Sequence, residues 1–146
     1  MYGWPWGKLG PLCAEEEIMK RYDPSTAPDP EAWLQLDEQA RIDLVIAYHR
    51  RYRLPMGKSP KLHGAVRAIV ENQVALGDAT VVPATLARLM REGLARHDAI
   101  HAIGSALVGI IFDVTTKKVD AGVDINARYG RELAALTAAS WRAQAD

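Results

Sequence analysis

The chain has 146 residues, with 18 basic and 18 acidic side chains and a single cysteine, Cys13. This length suits one domain that buries roughly two-thirds of its unfolded surface without disulfide or metal staples. Balanced charge removes the bulk attraction for nucleic acid or anionic membranes that basic proteins show, and a lone cysteine excludes an internal disulfide and suits a reducing, cytoplasmic setting.

Residues 1–28 are rich in Gly and Pro and carry Tyr2, Trp4 and Trp6. They are expected to form an irregular arm with a short helix from about Ala14 to Tyr22, its tryptophans docking on their own domain or on a partner. The opening Met-Tyr-Gly-Trp-Pro-Trp-Gly-Lys lacks the charged start and apolar run of a signal peptide, so export by that route is not expected. Residues 29–146 are expected to form the helical domain. Asp29-Pro30-Glu31 reads as an N-cap followed by Pro at the first helical position, and Asp37 offers a second start. In the helix after Asp37, Leu44, Val45, Tyr48 and Tyr52 recur at helical spacing, and Arg50, Arg51 and Arg53 give it a basic end. Pro55, Gly57 and Pro60 then mark a loop.

Leu62, Val66, Ile69, Val70 and Leu76 predict an amphipathic helix over Lys61 to Leu76, closed by Gly77-Asp78. A short helix follows, with Pro83 near its start, Gly93 past its end, and Leu86, Leu89 and Met90 as its core face. The next helix, Arg96 to Phe112, is apolar nearly all round, with Asp98 and Ser105 as its narrow polar edge, so it is expected to be central and antiparallel to the Lys61–Leu76 helix. The apolar run Ala102 to Phe112 falls short of the roughly 20 residues a membrane span needs. After a polar loop over Asp113 to Asp124, a last helix is expected from Ile125 to Gln144, with Ile125, Tyr129, Leu133, Leu136 and Trp141 on one stripe. Period-two alternation is nearly absent. The fold class is therefore all-α, a single helical bundle of about five or six helices.

All four histidines lie between residues 49 and 101. His97 and His101 are one turn apart, and the preceding long helix supplies His63 and the polar trio Glu71-Asn72-Gln73. Buried imidazoles must place a donor and an acceptor, so partners are expected from that neighbouring helix. Glu71 accepting a hydrogen bond from a His ring would raise that ring's pKa. The residues support either a buried polar network of Glu71, Asn72, Gln73, Arg96 and Asp98 with the histidines, or a divalent-metal site on His63, Glu71, His97 and His101.

The string Leu62-His63, Glu71-Asn72-Gln73, Leu86-Ala87-Arg88-Leu89 and Arg96-His97-Asp98-Ala99-Ile100-His101-Ala102-Ile103-Gly104 resembles an uncharacterised bacterial helical domain family. Members carry a His-starting helix, a Glu-Gln pair and a helix beginning His-(Asp/Glu)-Ala-x-His-x-Ile. The resemblance spans about 50 residues, more loosely including Asp29 to Trp33 and Tyr48-His49-Arg50, and it groups His63, Glu71, His97 and His101 without implying an activity. The order His63, His97-Asp98 and then Asp113 or Asp120 also resembles the metal-dependent phosphohydrolase superfamily named for its His-Asp doublet, although here the doublet opens a helix where that superfamily's ends one. Helix-turn-helix DNA binding is disfavoured, because the helix after Gly93 has no polar face to expose to a groove. There is no Gly-rich phosphate loop, paired Cys-x-x-Cys or His-Glu-x-x-His, and Cys13 has no nearby His to activate it. The expected function is a non-catalytic binding or interaction module, with a protein partner or self-association favoured over nucleic acid and membrane; the alternative is a metal-dependent hydrolase.

Overall fold

A computed structural model describes residues 19–116, 119 and 122–145. Among these there are seven α-helices and no strand: α1 (Pro30–Gln35), α2 (Glu38–Arg51), α3 (Pro60–Ala75), α4 (Val82–Arg91), α5 (Arg96–Thr115), α6 (Ile125–Ala135) and α7 (Ala138–Ala145), with one 3-10 turn at Gly77–Ala79. The fold is an all-α bundle.

Side-chain caps set most helix starts. Asp29 accepts from the Ala32 amide at 2.9 Å, Asp37 from Ala40 at 2.8 Å, and Ser59 from Leu62 at 3.2 Å, each satisfying an amide that has no intrahelical partner. Residues 19–22 are not helical, so the helix expected up to Tyr22 does not include them, and the rest of it, with Trp4, Trp6 and Cys13, lies outside the described residues. Tyr22 and Pro24 are buried. The packed domain thus begins before residue 29.

The last helix is two helices. Thr137 Oγ1 accepts from the Ser140 amide at 2.9 Å, while Ser140 Oγ accepts from the Thr137 amide at 3.1 Å, a reciprocal cap that starts α7 afresh. Neighbouring α4 satisfies groups at the break: Glu92 accepts from the Ala138 amide at 2.9 Å and Arg88 donates to the Leu133 carbonyl at 2.9 Å.

α3 divides the interior. Ala68 joins a core cluster with Tyr22, Trp33, Ile42 and Val45, whereas Val70 joins the larger cluster built on Leu86, Leu89, Ile100, Ile103, Ile110 and Leu133. α5 packs on α3, α4 and α6; its first half is enclosed and Ile110 is buried further along, whereas Val108, Phe112 and Val114 are exposed. α5 thus lies in the larger core through Ala99, Ile100, Ala102, Ile103 and Ile110, and shares the central position with α3, while its apolar surface toward the C-terminal end outruns the neighbours available to cover it. At 20 residues α5 has the length and composition to cross a membrane, yet its first two turns carry Arg96, His97, Asp98 and His101.

Two stripes are rotated from expectation. In α2 the buried residues are Ile42, Val45 and His49, whereas Tyr52 is exposed; in α4 Val82, Thr85, Leu86 and Leu89 face inward and Met90 outward. Glycine brings α2 and α3 together: a Cβ on Gly64 would lie 2.8 Å from Ile46 Cγ1 and 3.2 Å from the Ile42 carbonyl oxygen. Gly64→Ala gains about 1 kcal/mol of helix propensity but forces two backbones apart at a typical overpacking cost of about 1–3 kcal/mol. We expect a net loss of about 1 kcal/mol, read as a lower urea midpoint with unchanged m-value; a stabilised variant would refute the close approach.

Candidate functional site: a histidine cluster around a buried arginine

α3 carries His63, Arg67 and Glu71 at successive four-residue steps, so all three share one stripe. That stripe faces α5, and the pairing runs in opposite senses: Glu71 meets Arg96 at the start of α5, while His63 approaches His101 one turn later, with ring centroids 6.2 Å apart. The expected antiparallel arrangement of these helices holds.

The sequence-derived set of His63, Glu71, His97 and His101 separates into two centres. In the first, both Glu71 oxygens are taken: Arg96 donates through its two terminal nitrogens at 2.9 Å each, and the Tyr22 hydroxyl donates to Glu71 Oε2. Arg96 also donates to the Pro24 carbonyl at 3.0 Å. Glu71 and Arg96 are 1% and 6% exposed, which makes this a buried bidentate ion pair. Burial opposes the charge on Arg96, yet its hydrogen bonds to Glu71 carry its pKa above the ordinary value. Burial and the adjacent Glu71 carboxylate hold the Tyr22 phenol well above its usual pKa. Glu71 therefore serves Arg96 and Tyr22 in place of the expected imidazole, and the anticipated upward pKa shift of a histidine does not occur.

The rest of the polar trio fans out. Asn72 Oδ1 accepts from Trp33 Nε1 at 2.8 Å and from Arg41 at 3.0 Å; Gln73 Oε1 accepts from the Tyr129 hydroxyl at 2.9 Å. Consecutive helical residues point about 100° apart, so Glu71, Asn72 and Gln73 tie α3 to α5, to α1 and α2, and to α6 respectively. Sequence placed this trio in one network with the histidines; the helical rotation assigns it to three separate joints.

In the second centre all four histidines converge. His49 lies 4.4 Å from His63 and 5.4 Å from His97, centroid to centroid, and His101 meets Trp141 at 4.9 Å with the rings tilted by 59°. His49 is fully used: its Nδ1 lies 2.9 Å from the Val45 carbonyl, which requires Nδ1–H, so Nε2 accepts from Arg67 Nε at 3.3 Å. His97 Nε2 lies 3.4 Å from the same nitrogen, and His97 Nδ1 is 3.6 Å from the exposed Asp98 carboxylate. His97 and His101 are half-buried. His63 Nε2 is buried with no hydrogen-bond partner.

Arg67 is 4% exposed. Among the described residues no carboxylate pairs with it, since Glu71 one turn along is committed to Arg96. Burial lowers its pKa to about 10. The histidines respond in the same sense. Burial, and then the Arg67 cation, push His63 down to about 3 and His101 to about 4; His97 is lowered by the same two causes. His49 is lowered by burial, partly offset by its bond to Val45. All four rings are therefore neutral near pH 7.

A cleft of about 370 Å³ opens between α3, α5 and the loop before α3. His63, Arg67 and His101, with Lys58, Ser59 and Ser105, form its polar wall, and Met56, Leu62, Val66 and Val108 its apolar one. Gly104 keeps it open on the α5 side: a Cβ there would lie 3.1 Å from Val66 Cγ1 and 3.8 Å from a terminal nitrogen of Arg67. Comparison with protein-family models, curated proteins and solved structures finds no match to this chain.

Among the described residues no three His, Cys, Asp or Glu side chains stand at metal-holding spacing. Asp113, the later acid of the phosphohydrolase resemblance, accepts from Arg128 at 2.7 Å and is not part of the cluster; Asp120 lies outside the described residues. Sequence reasoning missed His49 and Arg67. A signal existed for His49, which continues the Ile42, Val45 face at helical spacing. For Arg67 the signal was its place between His63 and Glu71 inside the apolar run Gly64 to Val70.

Proposed function

We propose that this chain is a non-catalytic binding module whose ligand occupies the cleft between α3 and α5. The observation that carries the reading is an open cleft whose wall holds Arg67, a buried cation with no carboxylate partner among the described residues, and His63, whose Nε2 is buried and unpaired. A buried polar atom left unpaired costs about 1–3 kcal/mol, so its retention beside a cleft argues for a group that arrives from outside. The volume suits a small molecule, at the lower end of the roughly 300–1,000 Å³ usual for ligand pockets.

The lining favours binding over catalysis. No Asp or Glu lines this cleft, so it lacks the carboxylate that acid–base hydrolysis with neutral imidazoles would draw on. A divalent metal held by His63, Glu71, His97 and His101, the alternative suggested by the sequence, is opposed by the Arg67 cation hydrogen-bonded within the cluster and by the commitment of Glu71 to Arg96. The bacterial family resembled by the motif implies neither an activity nor a ligand.

Titrating 1-hexanol and then hexanoate into protein with labelled methyl groups tests the reading. Shifts are expected at Leu62, Val66 and Val108 with at least one probe. Silence at these methyls with both probes at millimolar concentration would overturn it, as would stoichiometric Zn, Fe, Mn or Ni that is lost in His97→Ala/His101→Ala.

A further inference from the structure

Three charged side chains are buried among the described residues: Arg67, Glu71 and Arg96. Glu71 and Arg96 neutralise each other through two hydrogen bonds. One positive charge remains in the interior, on Arg67, and it stands at the wall of the cleft.

The groups facing that guanidinium do not balance it. From α2 comes His49, an acceptor for Nε alone; from α3, His63; from α5, His97, His101 and Asp98, whose side chain is 56% exposed. The segment before α1 brings Tyr22, whose phenol is held protonated. Nε is the only Arg67 nitrogen hydrogen-bonded within the described residues, and one terminal nitrogen lies against Gly104, where the absent side chain leaves room. A buried cation without a counter-ion costs several kcal/mol, and truncation of its environment to apolar groups would not recover that. An anion entering the cleft would.

We propose that the cleft takes a monocarboxylate with a short apolar tail, its carboxylate on the terminal nitrogens of Arg67 and on a ring N–H of His63, its tail against Leu62, Val66 and Val108. This rests on the cleft being the ligand site, and it names the chemical class. A guanidinium presents its donors in a planar fork that matches a carboxylate. The neutral His63 ring, which lines the cleft, supplies a further N–H donor. The buried charge favours a monoanion, since Arg67 is the one unbalanced cation in the interior, the neighbouring imidazoles are neutral, and Lys58, which also lines the cleft, is exposed to solvent; the apolar wall favours a hydrocarbon tail over a bare phosphate.

The test is calorimetric titration at pH 7, in chloride-free buffer, of hexanoate, 1-hexanol and inorganic phosphate into the full chain. Hexanoate is expected to bind at least tenfold more tightly than 1-hexanol, which keeps the tail and lacks the charge, and more tightly than phosphate, which keeps the charge and lacks the tail. Arg67→Met is expected to remove the preference for hexanoate while leaving 1-hexanol binding within about threefold. Equal binding of hexanoate and 1-hexanol overturns this inference and leaves the cleft as a ligand site. Preference for phosphate overturns the ligand class, and absence of binding by all three overturns both readings. The wild-type comparison decides the matter even if Arg67→Met fails to fold.

Discussion

Glu71→Gln is expected to destabilise the protein by about 3–5 kcal/mol, the usual consequence of removing one partner from a buried ion pair. The loss is large because the carboxylate has three dependants at once: two terminal nitrogens of Arg96 and the Tyr22 hydroxyl. A glutamine of the same size keeps one acceptor oxygen but turns an N–H₂ group toward a guanidinium donor, and leaves Arg96 as well as Arg67 without compensation inside the fold. Against a total stability of about 5–15 kcal/mol this is a substantial fraction. Thermal unfolding should shift down by roughly 10 °C for a domain of this size. Glu71→Leu combined with Arg96→Met removes both charges together, so it avoids the unpaired state and should recover most of the loss. Denaturant titration of the single and double variants decides: a single variant within about 1 kcal/mol of wild type would show that the pair is not the joint described here.

The second large effect is acid sensitivity. His63 and His101 have pKa values near 3 and 4 in the fold against 6.5 for the free side chain, and His49 and His97 are lowered too. Between pH 6.5 and these values the unfolded chain binds protons that the native state refuses, so native stability rises with pH across this window. It is fully present above about pH 6.5 and is lost progressively as the pH falls toward 4 and then 3. Each ring that is neutral when folded and ionised when unfolded steepens the fall by ~1.4 kcal/mol per pH unit. Urea unfolding measured at half-unit steps from pH 7 to pH 4 should show this slope. Arg67→Met should flatten it, because removing the central cation lowers the cost of charging all four rings; His63→Leu should flatten it by close to one proton. A wild-type slope of zero across pH 6.5 to 4.5 would mean that the rings titrate freely in water.

How far the site was legible follows from the helical repeat. His97 and His101, one turn apart on α5, announce a shared stripe whatever packs on it, and His63 on the preceding helix is a reasonable partner for them. Glu71 looked equally suitable. It goes elsewhere because Arg96 sits one residue before His97, about 100° round the helix, and a guanidinium fork outcompetes an imidazole for a carboxylate. Tyr22 belongs to the same joint from 49 residues away, a pairing no local pattern encodes. Arg67 is the clearest case: an arginine in an amphipathic helix is ordinarily solvated, and only the arrival of α2 and α5 on both sides encloses it.

The order of helices, their starts at Asp29, Asp37 and Ser59, and the turns at Gly77 and Gly93, with φ of +65° and +108°, are local matters of capping and backbone sterics, and the chain determines them by itself. Tertiary packing decided which face of each helix is inside, which carboxylate meets which cation, and where one positive charge is left over. The physical reason is that caps act over three or four residues, whereas burial and ion pairing depend on which distant segments compete for the same space.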